Sequence, residues 1–353
     1  MQDNDLDALV HRASTVARRT WPDARLEGGR VLEGGVSSLT FASTLIRAGS
    51  ERPVVLKVAP AGLPPVRNRD VLRQARVLRR LDELPAFPVP EVLFEDAGRP
   101  PEVPPLFAME LCAGDSYEPL LDVSATPPTA EVARDRMLAA AHALGRMQAE
   151  SPGALGLADE PVSPVGEELE RWQRLFATVD PDIAPGHEKL SDRLAERIPA
   201  GVAPRLLHGD YRVANMLFSG ADLTAVIDWE IWSIGDPRAD LAWLLMHLAP
   251  AQVFHEHRSL GDLAVGTLMP TRDDLVGAYL AARAAHGGTP DDLANMEQDL
   301  AWFLAVCYYK TASTIAVIHK RERKRDAPDP KIAVAARHLD AVLEAGHQAL
   351  NEL

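Results

Sequence analysis

Cysteine is nearly absent. The 353-residue chain has two, Cys112 and Cys307. Both stand in apolar surroundings, which argues against a disulfide framework and for a reduced, cytoplasmic setting in which neither thiol is a nucleophile. No stretch of eighteen apolar residues occurs, and the first residues, Met1-Gln2-Asp3-Asn4-Asp5, are acidic, so neither a membrane span nor a signal peptide is expected. No Gly-x4-Gly-Lys-Ser/Thr and no Gly-x-Gly-x-x-Gly is present, which weighs against a P-loop or Rossmann nucleotide site. His255-Glu256-His257 is the nearest approach to a metal pair. Adjacent ligands alternate direction, however, and no further His/Cys cluster completes a zinc pattern, so the tripeptide reads as loop. Internal repeats and low-complexity tracts are also missing. With 46% hydrophobic and 25% charged residues, the chain can bury sizeable cores.

What is present is concentrated between residues 208 and 243. His208-Gly209-Asp210-Tyr211-Arg212-Val213-Ala214-Asn215 is followed by Met216-Leu217-Phe218, by Ser219-Gly220-Ala221-Asp222, and by a second β-prone run ending in Asp228-Trp229-Glu230. The middle reads as a hairpin with a Gly-containing turn, which returns the chain and brings Asn215 and Asp228 to its open end. Transfer of a phosphoryl group to a hydroxyl needs a carboxylate to orient the hydroxyl and accept its proton, and oxygen ligands to hold magnesium on the phosphates. Asp210 suits the first task; Asn215 and Asp228 suit the second. The same residues would also serve a structural polar network or a two-metal hydrolase site.

An Asp and an Asn five positions apart, ahead of a hairpin that ends in a metal-binding Asp, is the layout of the protein-kinase catalytic and magnesium loops. The wording here, His-Gly-Asp and Asp-Trp-Glu, closely resembles the aminoglycoside phosphotransferase and choline kinase family, as does the continuation Gly235-Asp236-Pro237-Arg238-Ala239-Asp240-Leu241-Ala242-Trp243. The resemblance implies an α+β, protein-kinase-like fold with two lobes: a small β-rich N-terminal lobe, residues 1–110, and a larger, mostly helical C-terminal lobe, residues 111–353. It implies an enzyme that uses ATP (or GTP) and Mg2+ to phosphorylate a hydroxyl of a small molecule. Asp210 is the expected catalytic base, and His208 is expected to brace its loop. Asp236 and Asp240 are expected to anchor loop backbone and a helix start.

The upstream sequence contains most of what such a fold requires. Gly34 and Gly35, with Ser37 and Ser38, separate two β-prone runs, where absent side chains let backbone N–H groups approach phosphates. By itself a Gly pair between strands is also an ordinary hairpin turn. The run Pro53-Val54-Val55-Leu56-Lys57-Val58 sets one lysine inside an apolar strand, which is costly unless the lysine is paired, and Lys57 is read as the phosphate-binding lysine. Val71 to Leu81 has helical spacing. The family usually has a glutamate where this helix carries Gln74. Glutamine can hydrogen-bond Lys57 but not neutralise it, and Asp70 is a possible substitute. Leu106 to Gly114 resembles the family's hinge, with Met109, Glu110 and Leu111 as the adenine-facing residues.

Residues 1–110 carry 15 basic and 15 acidic side chains, so the formal charge of −14 belongs wholly to the remainder. Such an acidic lobe steers amines inward and repels nucleic acid, and no nucleic acid or membrane partner is expected. Acidity on solvated helix faces equally serves solubility. Helices are expected over 129–150, 240–248, 272–286, 291–318 and 330–350. Aromatics make up only 5% of the chain, so their gathering in Leu300 to Lys310 stands out. Trp302, Tyr308, Tyr309 and Trp232 either wall the acceptor pocket or fill the core. The basic run His319-Lys320-Arg321-Glu322-Arg323-Lys324-Arg325 is either a solvated face or an anion site. The C-terminal half resembles the branch of the family associated with acyl-CoA dehydrogenases, which would make the acceptor a hydroxyacyl-CoA. The departure at Gln74 leaves open a nucleotide-binding pseudokinase acting as a scaffold.

Overall fold

A computed structural model of the chain describes residues 3–32, 38–85 and 87–352. The chain divides into two compact units, residues 1–114 with 224–232, and residues 115–223 with 233–353. The segment Thr224–Trp232 returns to the first unit. Hydrophobic patterning along a sequence carries no information about such a return.

The first unit opens with helix α1 (Asp3–Thr20), followed by strands β1 (Arg25–Val31), β2 (Leu39–Arg47) and β3 (Ser50–Val58), helix α2 (Val71–Asp82), and strands β4 (Val92–Asp96) and β5 (Leu106–Glu110). The five strands form an antiparallel sheet in the order β1-β2-β3-β5-β4. Strand periodicity of two sorts its side chains. Val54, Leu56 and Val58 of β3 join Phe41, Leu106 and Ala108 in a core closed by Ala13, Val16 and Ala17 of α1. The intervening Lys57 therefore points to the other face, where it meets Gln74 of α2.

The second unit is mostly helical. Its elements are α3 (Ala130–Ala149), α4 (Val165–Phe176), α5 (His187–Glu196), β6 (Arg205–Leu207), β7 (Met216–Ser219), β8 (Asp222–Val226), β9 (Ser233–Gly235), α6 (Arg238–Met246), α7 (Leu260–Val265), α8 (Arg272–Ala285), α9 (Pro290–Glu297), α10 (Leu300–Glu322), α11 (Pro330–Ala336) and α12 (Leu339–Leu350). β6 pairs with β9, and β7 pairs with β8 through a turn at Gly220, φ 61°. The chain passes from the second unit to the first within β8. The α10 helix is long and apolar enough by composition to cross a membrane, yet 72% of its most apolar window is buried inside the unit. It is apolar on all sides because α4, α6 and α12 surround it.

Two expected helices are each broken in two. Residues 291–318 divide at Gln298 and Asp299, the latter in the left-handed region at φ 56°. The buried Arg238 guanidinium donates to the Gln298 carbonyl at 2.9 Å and to Ala200 O at 2.7 Å, so tertiary contacts hold the break. Residues 330–350 divide at Arg337 and His338. Trp302, Tyr308, Tyr309 and Trp232 are all buried, and the Trp302 indole donates to Leu194 O at 3.0 Å. They are core, so an acceptor wall made of these four is corrected.

Candidate active site

In the second unit the residues 208–215 form a loop between β6 and β7, and its shape is imposed from behind. Asp240, in the first turn of α6 and 2% exposed, accepts from His208 N–H at 2.7 Å and from Gly209 N–H at 3.0 Å. Gly209 sits at φ 86°, a conformation glycine adopts without the strain a side chain brings. Its carbonyl accepts from Lys310 Nζ at 2.6 Å. Tyr211 is fully buried and donates to Ala140 O of α3 at 2.8 Å. His208 is also fully buried, and its Nδ1 accepts the Asp210 N–H at 3.2 Å, which puts the ring proton on Nε2. Asp236 accepts from the Arg238 guanidinium and from Val202 N–H, fixing the turn into α6. Asp236 and Asp240 thus hold backbone, as their positions in the sequence suggest.

These anchors leave the Asp210 carboxylate defined at both oxygens. Oδ2 accepts from Asn215 Nδ2 at 2.8 Å and Oδ1 from the Trp243 indole Nε1 at 2.8 Å. Arg212 Nε lies 4.0 Å from Oδ1. Burial pushes the Asp210 pKa up, but the charges of Arg212 and Lys310 and the Asn215 hydrogen bond outweigh it, so the group lies below the usual carboxylate range. Asp240 goes the other way: burial raises its pKa despite the His208 and Gly209 amides and Lys310. The two carboxylates are therefore differentiated, with Asp210 held ionised and Asp240 serving as a buried acceptor.

The first unit holds the lysine. Lys57 Nζ is 3.1 Å from Asp228 Oδ1 and 3.3 Å from Gln74 Oε1. Gln74 in turn donates to Asn68 O at 3.4 Å. Asp70 is otherwise engaged: its side chain caps α2 by accepting Arg73 N–H at 3.1 Å, so it is not the lysine's partner. Asp228 is in the left-handed region at φ 64°, ψ 53°, a conformation costing a non-glycine residue on the order of 1 kcal/mol or more and held by its surroundings. Its side chain is 39% exposed. A small cavity in this unit is lined by Lys57, Gln74, Phe107, Met109 and Asp228 among others.

Among the described residues no group of three or more His, Cys, Asp or Glu gathers as a ready metal site. The donors that Asn215 and Asp228 offer are hard oxygens, which suits magnesium, an ion that keeps several waters and takes the rest of its shell from substrate phosphates.

The remaining expectations meet mixed outcomes. Gly34, Gly35 and Ser37 lie outside the described residues. Ser38 is buried, and its hydroxyl has no hydrogen-bond partner among the described residues. Of the hinge residues, Met109 lines the cavity. The Glu110 and Leu111 N–H groups donate to Glu91 O at 2.9 Å and Pro53 O at 3.2 Å. The basic run at the end of α10 is largely committed. Lys320 pairs with Asp180 at 2.9 Å, Arg323 with Asp182 at 3.1 Å and Arg325 with Glu322 at 2.9 Å.

Sequence reasoning assigned no role to Trp243, Lys310, Trp172 or Glu118. Glu118 is fully buried; its Oε2 accepts Ala214 N–H at 3.0 Å and faces Arg212 Nε at 4.0 Å. Lys310 could have been found: it is the one cation within a long apolar segment, the same signal that marks Lys57.

The chain matches the phosphotransferase enzyme family over residues 28–286. Its curated relatives include mouse acyl-CoA dehydrogenase family member 10, 25% identical over 77% of this chain and 25% of that protein. A probable acyl-CoA dehydrogenase of Arabidopsis thaliana is 27% identical over 81% of this chain and 35% of that protein. The chain thus spans about a quarter to a third of the length of these relatives. Among solved structures, a putative aminoglycoside phosphotransferase from Ralstonia eutropha superposes with a TM-score of 0.69 at 22% identity, covering 92% of each chain. A macrolide 2'-phosphotransferase type I gives 0.55 at 19%, covering 93% of this chain and 95% of that one. An aminoglycoside phosphotransferase crystallised with ADP and hygromycin B gives 0.52 at 16%, covering 94% and 98%. The fold is that of the protein-kinase-like phosphotransferases, and the chain belongs to the phosphotransferase enzyme family.

Proposed function

We propose that the protein is a kinase of small molecules, moving the γ-phosphoryl group of ATP to an acceptor hydroxyl with magnesium. The observation that carries this reading is the Asp210 carboxylate, held ionised, with each oxygen fixed by a single donor, Asn215 or Trp243. In the reaction the acceptor oxygen forms a bond to the γ-phosphorus as the bond to the β,γ-bridging oxygen breaks, and the acceptor's proton passes to Asp210. Lys57 supplies a cation to the phosphate oxygens, and Gln74 orients it. Asn215 and Asp228 offer oxygens to magnesium, which when bound neutralises charge on the phosphates. Its setting is proposed to be cytoplasmic.

Gln74 hydrogen-bonds Lys57, and Asp228 pairs with it, so the missing glutamate does not leave the lysine alone. This favours the enzyme over a pseudokinase scaffold. The test is ATP consumption by the purified protein with magnesium, across aminoglycosides, choline-like amino alcohols, hydroxy acids and hydroxyacyl-CoA esters, with Asp210→Asn as control. A hit lost in the variant supports the reading; ATP binding without transfer to any acceptor supports the scaffold.

A second reading is favoured by the curated relatives, whose names are those of acyl-CoA dehydrogenases: the acceptor is a hydroxyacyl-CoA. It requires that the phosphates of the ester find cations, for which the basic run at 319–325 is the candidate.

A further inference from the structure

The second unit is acidic overall, yet two cations, Arg212 and Lys310, stand close to Asp210. Lys310, in the middle of α10 and half-buried, donates to Gly209 O at 2.6 Å and stands 4.0 Å from the centre of the Trp243 ring and 5.4 Å from that of Trp172. Among the described residues it makes no ion pair with a carboxylate. An ammonium has three donors; one carbonyl occupies one of them, and an indole face attracts a cation without neutralising it. The same Trp243 donates its Nε1–H to Asp210, so the ammonium lies one indole away from the proposed base. Other acids close by are committed: Asp240 gives both oxygens to loop amides, and Glu118 binds Ala214 N–H and faces Arg212.

We propose that Lys310 recognises the acceptor, and that the acceptor is a hydroxy acid whose carboxylate lies within a few bonds of the hydroxyl to be phosphorylated. This deepens the kinase reading and rests on it for the identity of the hydroxyl. The acidity of the unit as a whole acts at a distance and is screened by salt, whereas a half-buried cation beside the base acts at contact and is screened much less. An amine-bearing acceptor would set like charges against each other there. A carboxylate satisfies the open donors of Lys310, which the Trp243 and Trp172 rings flank.

The experiment is a binding titration of the full chain without nucleotide, followed by tryptophan fluorescence, since Trp243 and Trp172 flank the site. The probes are 3-hydroxybutyrate, its neutral methyl ester and choline. The expected result is saturable binding of the carboxylate, with the ester and choline roughly tenfold weaker or worse. Lys310→Met should abolish this preference, and Lys310→Arg, which keeps the charge, should retain it. Thermal melting of the same variants identifies a merely structural lysine, whose loss lowers the melting temperature but leaves the preference intact. Equal binding of the ester or choline, an unchanged preference in Lys310→Met, or no saturable binding of 3-hydroxybutyrate by the unaltered chain each overturns the proposal. Because no phosphate transfer is read, these outcomes are separate from failure of the kinase reading, which would appear as absent ATP consumption.

Discussion

The proposed chemistry rests on Asp210, and its surroundings determine how it responds to change. Asp210→Asn removes the proposed proton acceptor and keeps the shape, with one oxygen left to accept from Asn215 or Trp243. Turnover should fall by about a thousandfold or more, with ATP binding preserved. Steady-state kinetics beside a nucleotide titration measures both, and surviving transfer would refute the base assignment. Its depressed pKa has a sign that can be followed through. The ionised form is favoured by folding above the ordinary value of 3.8, and that contribution is lost as pH falls through the lower folded value. The acidic limb of kcat/KM should therefore lie below the usual carboxylate range. Trp243→Phe keeps the ring but deletes the donor to Oδ1, so the limb should move upward and kcat should drop; a pH profile of the variant reads both. The sequence revealed Asp210 through its company, His208, Asn215 and Asp228. Trp243 was invisible as a donor because its role depends on one turn of α6 passing behind the loop, a relation between elements far apart in sequence.

At the level of elements, the sequence reports periodicity well and interruptions poorly. The helices α2, α3 and α8 follow their expected spans closely, because each carries its own apolar stripe and side-chain N-cap. The breaks at Asp299 and at Arg337 interrupt runs that remain helical in propensity. Arg238 holds the first of them, and nothing in residues 291–318 announces it. Close helix packing is a second hidden property. Gly145 of α3 lies so near α8 that a Cβ there would come 2.2 Å from Tyr279 O and 2.9 Å from the Ala282 side chain. Backbone cannot yield as a flexible side chain does, so Gly145→Ala should cost about 2–3 kcal/mol of stability despite alanine's better helix propensity. Equilibrium denaturation measures it, and an unchanged midpoint would contradict the packing. In the first unit, α2 presents Gln74 to Lys57. Gln74→Glu adds a carboxylate to the pair, leaves Asp228 freer for metal, and should lower the KM for MgATP by roughly fivefold, about 1 kcal/mol.

Across the whole molecule, the fold class and the family could be read from about forty residues, because phosphoryl transfer constrains residue type and spacing together. The acceptor could not be, since charge counted along a lobe says little about charge at a contact. The basic run after α10 illustrates the difference. As sequence it is five cations and one acid; in the fold Lys320 and Arg323 face Asp180 and Asp182, and Arg325 faces Glu322. Exposed pairs of this kind contribute roughly 0–1 kcal/mol each, so the run is neither a strong staple nor a reservoir of open positive charge. Replacing Lys320, Arg321, Arg323, Lys324 and Arg325 together by glutamine should consequently change the KM for a hydroxy acid by less than about threefold and shift the melting temperature only slightly. The same variant separates the two readings of the acceptor. If a hydroxyacyl-CoA is the true substrate and this run holds its phosphates, the KM for the ester should rise at least roughly tenfold, and more steeply at low ionic strength, where unscreened cations matter most.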